Sequence, residues 1–581
     1  MIAGGSRVLW PMHRLSLIVL LGATCACTPP PATVAQIADT YLDRYFEMYP
    51  SRATAQGRVD HDARLELPTE DRIRAWVLYQ DEVTSALREA LARPGATSDD
   101  ALDAEAIVNQ SARERHQYVV LRRHETDPLF WTSLAANATI FHVVRENRPL
   151  AERVADAVAR VEQIPALAAE ATSRITSAAA ERLSAEVCRL AAAQAQATAT
   201  FYRTGFATFA AAAGVDAAAP ATRAADALAT LANTLDGASL RASGSPRLGR
   251  HYEPTLQTGL ATDRRPADIL AAAERDLVDL RQEAAAYGRS VWPAVMGQRP
   301  APAGDAALLR ALFSRVSDDR DEDLAAYVAH WKETLTELEG FVREHQVMTL
   351  PEGLSLVVTE SPPYFLGQSI GGVYPPGPYA PEAPTLLFLP VPRDGASPQQ
   401  RTAFFRDFNR HFTTMIAPHE LLPGHYVQAG YAARHPHKVR TVFADPVYVE
   451  GWGTFCERLL LDLGWGGPLP RLAHLKKQIE NAARTIVDVR VHAHAMSRDD
   501  VLRFVRQQAL QDDQFANNMW TRAISTSPQM VTYHQGYRDI REVYDMARRA
   551  AGNAFNLRAF MDGMMTLGPV PVRHHRARFA R

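Results

Sequence analysis

Cysteine is scarce, with four in 581 residues, so no disulfide scaffold holds this chain together. Charge of one sign is also missing. Lys and Arg number 63 against 65 Asp and Glu, a formal net charge of −2. That balance excludes a chain that is basic overall for binding nucleic acid. Apart from one short N-terminal run, long apolar stretches are lacking, which excludes a multi-span membrane protein. No internal period of 20–50 residues appears, so the fold is not a solenoid. What is present is 47% hydrophobic and 22% charged residues, the make-up of a globular chain long enough for a large core and two lobes.

The N-terminal run reads as an address. His13 and Arg14 precede the apolar stretch Leu15–Leu21, and small residues then lead to Cys25 and Cys27. The stretch is too short to span a bilayer and suits a secretory signal, with Met12 giving the most compact basic start. Ala26–Cys27 resembles a bacterial lipoprotein box better than Thr24–Cys25 does. The division expected is a signal over 1–27, a flexible tether over 28–36, a helical lobe over 37–240 and a second lobe over 250–575. Cys188 and Cys456 are then left as free, buried thiols.

Helix formers dominate from Ala35 to about Leu235, and the Ala-rich stretch keeps large apolar residues at spacings of three and four. Gly, Ser and Pro concentrate over 237–250, the expected lobe boundary. Helices are expected over Pro266–Tyr287 and about Asp323–His345. Strands are expected at 354–360 (LSLVVTE) and 385–391 (TLLFLPV), with a long irregular Pro- and Gly-dense loop between them. The fold class is mainly α, with a small β-sheet just before the chemical motif.

That motif is IAPHELLPGHYVQAG, residues 416–430. Two histidines four apart on a helix, with a glutamate beside the first, bind zinc and supply a base. Here His425 follows His419 by six residues, and on a regular helix that turns the rings about 240° apart. Pro423 opens the helix and Gly424 tolerates the distorted backbone, so a bulge of two residues would restore the approach. A third ligand is expected from VYVEGWGTFCE: Glu450 as the metal ligand, with Glu457, seven residues on and on the same helix face, standing behind it. Gly451 and Gly453 flank Trp452 and permit close helix approach. His411, His435, His437 and His494 read as bland core or surface residues, since zinc closes with three protein ligands and water.

These blocks resemble the bacterial family catalogued as domain of unknown function 885. The likeness rests on His419, Glu420, Pro423, Gly424, His425 and Gln428, on Glu450, Gly451, Trp452 and Glu457, on Arg484, Asp488 and His492, and on Arg522, Tyr533 and Gly536. It reaches back to residues 41–65. The sequence departs from the family at Arg490, at Ser527-Pro528-Gln529 and at His534. The resemblance implies a two-lobed, helical, metallopeptidase-like (gluzincin-like) fold that holds Zn²⁺. It adds His492 to the residues expected just outside the ligands.

The expected activity is hydrolysis of a peptide or amide bond. Glu420 is the general base, Tyr533 a donor to the oxyanion and Arg522 a holder of a substrate carboxylate. The expected strands offer edges on which an extended peptide can pair. The alternatives are a metal-dependent amidase on a non-peptide or cell-wall substrate, and a lipoprotein that binds peptides without cleaving them. No nucleic-acid partner is expected, and the membrane is met only through the N-terminal lipid. Mass spectrometry of the mature N-terminus should find lipid on Cys27; a free, unmodified N-terminus beyond residue 27 overturns the anchor.

Overall fold

The computed structural model of the chain describes residues 32–361, 371–392 and 395–580, so the expected signal and Cys27 lie outside it. Helix α1 (Val34–Met48) starts inside the expected 28–36 tether. Thr33 caps it through a capping box with Gln36, and an apolar stripe from Val34 to Met48 is buried. That stripe packs on α2 (Glu70–Leu91) and α3 (Ser98–Arg115) through Tyr41, Tyr45, Phe46 and Trp76, forming a first core. Glu114 is sealed beneath it, accepting from Trp76 Nε1 and Gln110 Nε2 at 2.7 Å each. Burial pushes its carboxyl up to about 7.

The Ala-rich stretch gives α4 (Ala185–Phe201) and α5 (Ala218–Arg241), whose small side chains let the two helices approach closely in a second core. Helix α5 runs through Gly237, because Leu235 and Ala238 are still buried in that core. The chain breaks only over 242–248, later than the 237–250 composition shift suggests. A third and larger core gathers residues from Tyr252 to Val572. The first and third cores are clamped together where buried Arg440 pairs with Asp103 at 2.6 Å and Asp99 at 2.8 Å, both on α3.

Helix α6 (Pro266–Met296) continues past Tyr287, since Gly288 and Trp292 still pack inward, and it stops at Gly297 with φ +64°. Helix α7 (Leu324–Glu344) is capped by Asp323, which accepts from Ala326 N. Strands β1 (Leu356–Glu360), β2 (Gly372–Tyr374) and β3 (Thr385–Leu389) form a sheet in the order β1-β3-β2. β1 runs parallel to β3 and β2 antiparallel to it. β2 falls in the stretch expected to be irregular; three residues between Gly and Pro carry no readable alternation. β3 sends Leu386 and Phe388 toward Val144, and Leu387 and Leu389 into the large core. As the central strand it has no free edge, so of the two expected strands only β1 lies at an edge.

Six helices then build the site: α8 (Arg410–Glu420), α9 (His425–Ala433), α10 (Pro446–Asp462), α11 (Pro468–Ala493), α12 (Asp513–Thr526) and α13 (Thr532–Ala551). Helix α11 is buried along most of its length. α10 and α13 meet backbone to backbone. A Cβ on Gly451 would lie 2.4 Å from Gly536 C, and one on Gly536 would lie 2.1 Å from Val447 O. Neither neighbour is a flexible side-chain end, so both positions demand glycine. Gly536→Ala should therefore destabilise the protein by about 1–3 kcal/mol in equilibrium denaturation, by overpacking. Gly237→Ala, with open space around its Cβ position, should be neutral or stabilising by up to about 1 kcal/mol.

Candidate metal centre

The HE pair ends a helix and does not lie within a bulged one. Leu421 leaves the helical region at φ −112°, ψ −96°, and α9 begins anew at His425. The expected bulge is thus a full break, which turns His425 back on His419 more freely than a distortion would. Gly424 is obligatory here, because a Cβ would lie 1.9 Å from His419 O and 2.3 Å from Pro418 O. Trp452 Nε1 donates to Pro423 O at 2.8 Å, tying α10 to this turn. Gly453 makes room for the first histidine, since a Cβ there would sit 2.7 Å from the His419 ring.

The result is a convergent triad. The His419 and His425 rings stand edge to face with centroids 4.6 Å apart. Glu450 Oε2 lies 3.6 Å from His419 Nε2 and 3.8 Å from His425 Nε2. One ligand atom from each residue falls within 4.8 Å of the others. Zinc with bonds near 2.0–2.2 Å in a tetrahedron sets its ligand atoms roughly 3.4 Å apart, so a small contraction closes the site. His419 is buried, whereas His425 and Glu450 are half-buried, which leaves one side open.

The far nitrogens are committed elsewhere. His419 Nδ1–H donates to Glu457 Oε1 at 2.7 Å, and His425 Nδ1–H to Gln428 Oε1 at 3.3 Å. With Nδ1 donating, each neutral imidazole would have its Nε2 free for a metal. Glu457 Oε2 accepts from His474 Nδ1 at 3.0 Å, and both residues are fully buried. Burial would raise the carboxyl of Glu457, yet hydrogen bonds from His419 and His474 hold it down to about 2. Burial also opposes ionisation of Glu450, but His419 and His425 keep it well below the usual carboxylate range. His419 is raised well above an ordinary histidine: burial disfavours its charge, and the bonds to Glu450 and Glu457 outweigh that.

His474 is the site residue the sequence reading missed. Its only local signal is a histidine between Ala473 and Leu475 on a helix that is otherwise apolar there. His492, expected near the ligands, is elsewhere. It lies 18 residues further along α11 than His474, about 27 Å of helix. There its Nδ1 accepts from Leu248 N at 3.1 Å, its Nε2 donates to Ala523 O at 2.8 Å, and its ring stacks on Tyr252. It clasps the start of the second lobe. Arg490 and His534, where the sequence departs from the family, reach Glu274 at 2.6 Å and Asp276 at 2.9 Å on α6.

Glu420 stands next to His419, half-buried and outside the ligand set, and its charge acts on His419. Tyr533 sits one turn before Gly536 on α13, half-buried, with its ring centroid 5.2 Å from the Arg484 guanidinium. Its Oη accepts from Gln529 Nε2 at 2.7 Å, and Gln529 Oε1 accepts from Arg522 at 2.6 Å. Among the described residues no carboxylate lies within ion-pairing distance of Arg522. A second group, Glu70, His124 and Glu125, also brings ligand atoms together. Arg174, Arg122 and Arg182 already neutralise its carboxylates, so a cation there would face three guanidiniums. Cys188 and Cys456 are free and buried.

Residues 50–578 match the model of a bacterial protein family of unknown function, DUF885. The chain belongs to this family. A DUF885 chain therefore carries the triad, and its fold is shared with two solved structures. One is a candidate lipoprotein of unknown function from Shewanella oneidensis, 24% identical, with 95% of this chain and all of that one covered at a TM-score of 0.79. The other is a candidate lipoprotein from Colwellia psychrerythraea, 15% identical, with 94% and 98% covered at a TM-score of 0.75. No curated protein matches the chain.

Alanine at His419, His425 or Glu450 should each lower zinc content to a small fraction of wild type, read by metal analysis after dialysis. Glu457→Ala, which frees the His419 tautomer but removes no ligand, should weaken zinc binding only about 10–100-fold. Full zinc occupancy in His425→Ala would contradict the triad.

Proposed function

We propose that this DUF885 protein is a zinc-dependent hydrolase that cleaves peptide or amide bonds at the cell envelope. The observation that carries the reading is the convergence of His419 Nε2, His425 Nε2 and Glu450 Oε2, with both histidine tautomers already fixed by Glu457 and Gln428. Two imidazoles and one carboxylate with an open side are the donor set of a catalytic zinc site rather than a closed structural one. Bound there, zinc would supply Lewis acidity, polarising a carbonyl oxygen and bringing the pKa of water to about 7.

The remaining roles fall to the chain. Glu420 makes none of the ligand contacts, so its carboxylate is free to take a proton from the attacking water and return it to the leaving amine. That transfer is worth on the order of 10²–10⁴-fold in rate. Tyr533, one turn before the Gly536 that meets Gly451, is the donor to the oxyanion that develops on the scissile carbonyl. Arg522, which makes no close ion pair among the described residues, offers its guanidinium to a carboxylate of the substrate. The edge strand β1 gives an extended chain a place to pair. An intact base beside a formed ligand set favours an enzyme over a lipoprotein that only binds peptides. The envelope location is supported by the N-terminal signal pattern and by the candidate lipoproteins that share the fold.

A peptide and amide library, run with zinc and with chelator, tests the reading and supplies a substrate. Glu420→Gln should then keep the fold and the zinc but lose at least about 10²-fold in kcat with KM little changed, because Gln preserves size yet cannot accept the proton. Hydrolysis by Glu420→Gln at the wild-type rate would remove Glu420 as the base. Wild type that holds zinc and cleaves nothing in the library would shift the reading to the binding lipoprotein.

A further inference from the structure

We infer that Gln529 is a positioning residue that forces the Tyr533 hydroxyl hydrogen outward, toward the substrate. The inference rests on the hydrolase reading above. A guanidinium only donates hydrogen bonds, and Arg522 reaches Gln529 Oε1 at 2.6 Å. Arg522 therefore fixes which end of the Gln529 amide it meets: the carbonyl oxygen. The amide nitrogen is left facing Tyr533, 2.7 Å from Oη, and a nitrogen bearing two hydrogens and no free acceptor site must donate there.

A phenol has one hydrogen. With Gln529 N–H occupying an oxygen lone pair, that hydrogen has to point elsewhere, and no described acceptor of the protein takes it. The chain of donors thus runs one way, from Arg522 to Gln529 to Tyr533 and out. Because the first donor is charged, each bond polarises the next. The ring is held as well as the hydroxyl: the Arg484 guanidinium lies 5.2 Å from its centroid and that of Arg522 5.9 Å. Arg484 is paired with Glu480, while Arg522, whose charge also acts on the buried Asp488 carboxyl, is the one that donates to Gln529 and so drives the chain. One turn further along α13, Gly536 meets Gly451, the residue after Glu450.

The same three contacts could serve only to clasp α12 to α13, and one isosteric substitution separates the two roles. Gln529→Glu keeps the clasp and strengthens it with an Arg522 ion pair. It offers only acceptors, so the Tyr533 hydroxyl turns inward to the carboxylate. With the best peptide of the library screen, kcat should fall on the order of 10²-fold, as expected for loss of one oxyanion donor, while KM stays within about threefold. Tyr533→Phe should lose a similar factor, and the double variant should be no worse than either single. The melting temperature of Gln529→Glu should not fall.

A second measurement needs no turnover. Calorimetric affinity for a phosphinic pseudo-peptide of the same sequence should drop by the same factor in both single variants. Wild-type kcat in Gln529→Glu, or losses that multiply in the double variant, would overturn the inference alone. Wild type that neither cleaves the peptide nor binds the phosphinic compound would overturn the hydrolase reading and this inference with it.

Discussion

The carboxylate of Glu457 is the constraint on which the site depends. It is fully buried, and each of its oxygens is taken by an imidazole N–H, His419 at 2.7 Å and His474 at 3.0 Å. Burying an ion costs several kcal/mol, and only good geometry with further hydrogen bonds offsets that cost. Losing either histidine would leave charge without compensation, a change usually worth about 3–5 kcal/mol. The same bond orients a ligand, because a donating Nδ1 leaves Nε2 bare. One side chain therefore ties α8, α10 and α11 together and sets the orientation of the His419 ring.

That arrangement needs helices closer than ordinary side chains allow. Gly453 lets the His419 ring lie on α10, Gly424 lets the chain turn beneath His419 O, and Gly451 meets Gly536 where α10 crosses α13. Trp452 sits between the first two glycines of α10 and reaches back to Pro423 O. The EGWG segment thus combines a ligand, two points of close approach and one tether within four residues. Glycine inside a helix costs about 0.5–1 kcal/mol each relative to alanine. The clashes a Cβ would meet at these positions explain why alanine is not used instead.

Much of this was legible in the sequence because it is local. The HE pair, the Pro-Gly before His425 and the EGW block announce ligands and tight turns by residue type and spacing. Capping residues such as Thr33 and Asp323 mark helix starts for the same reason. What was not legible depends on long-range packing. His474 serves a carboxylate 17 residues earlier on another helix, and nothing in its own neighbourhood shows it. His492 resembles it in type and shares its helix, yet five turns of separation place it against Leu248 and Ala523. The break at Leu421 was read as a bulge because Pro and Gly permit both; only the packing of α9 chooses. Helix α5 outran its composition because Leu235 and Ala238 find the second core. Arg490 and His534 depart from the family pattern, and both turn to acids on α6 rather than to the ligands.

Charge also ties the residues of the triad to one another. Glu420, Glu450 and Glu457 are neighbours of three imidazoles, His419, His425 and His474, of which the first and last are buried. Without a cation the nearest source of positive charge is a proton on His419, which is why its pKa stands well above ordinary while Glu450 and Glu457 are held low. That proton occupies the nitrogen a metal would use, so metal and proton compete for one lone pair.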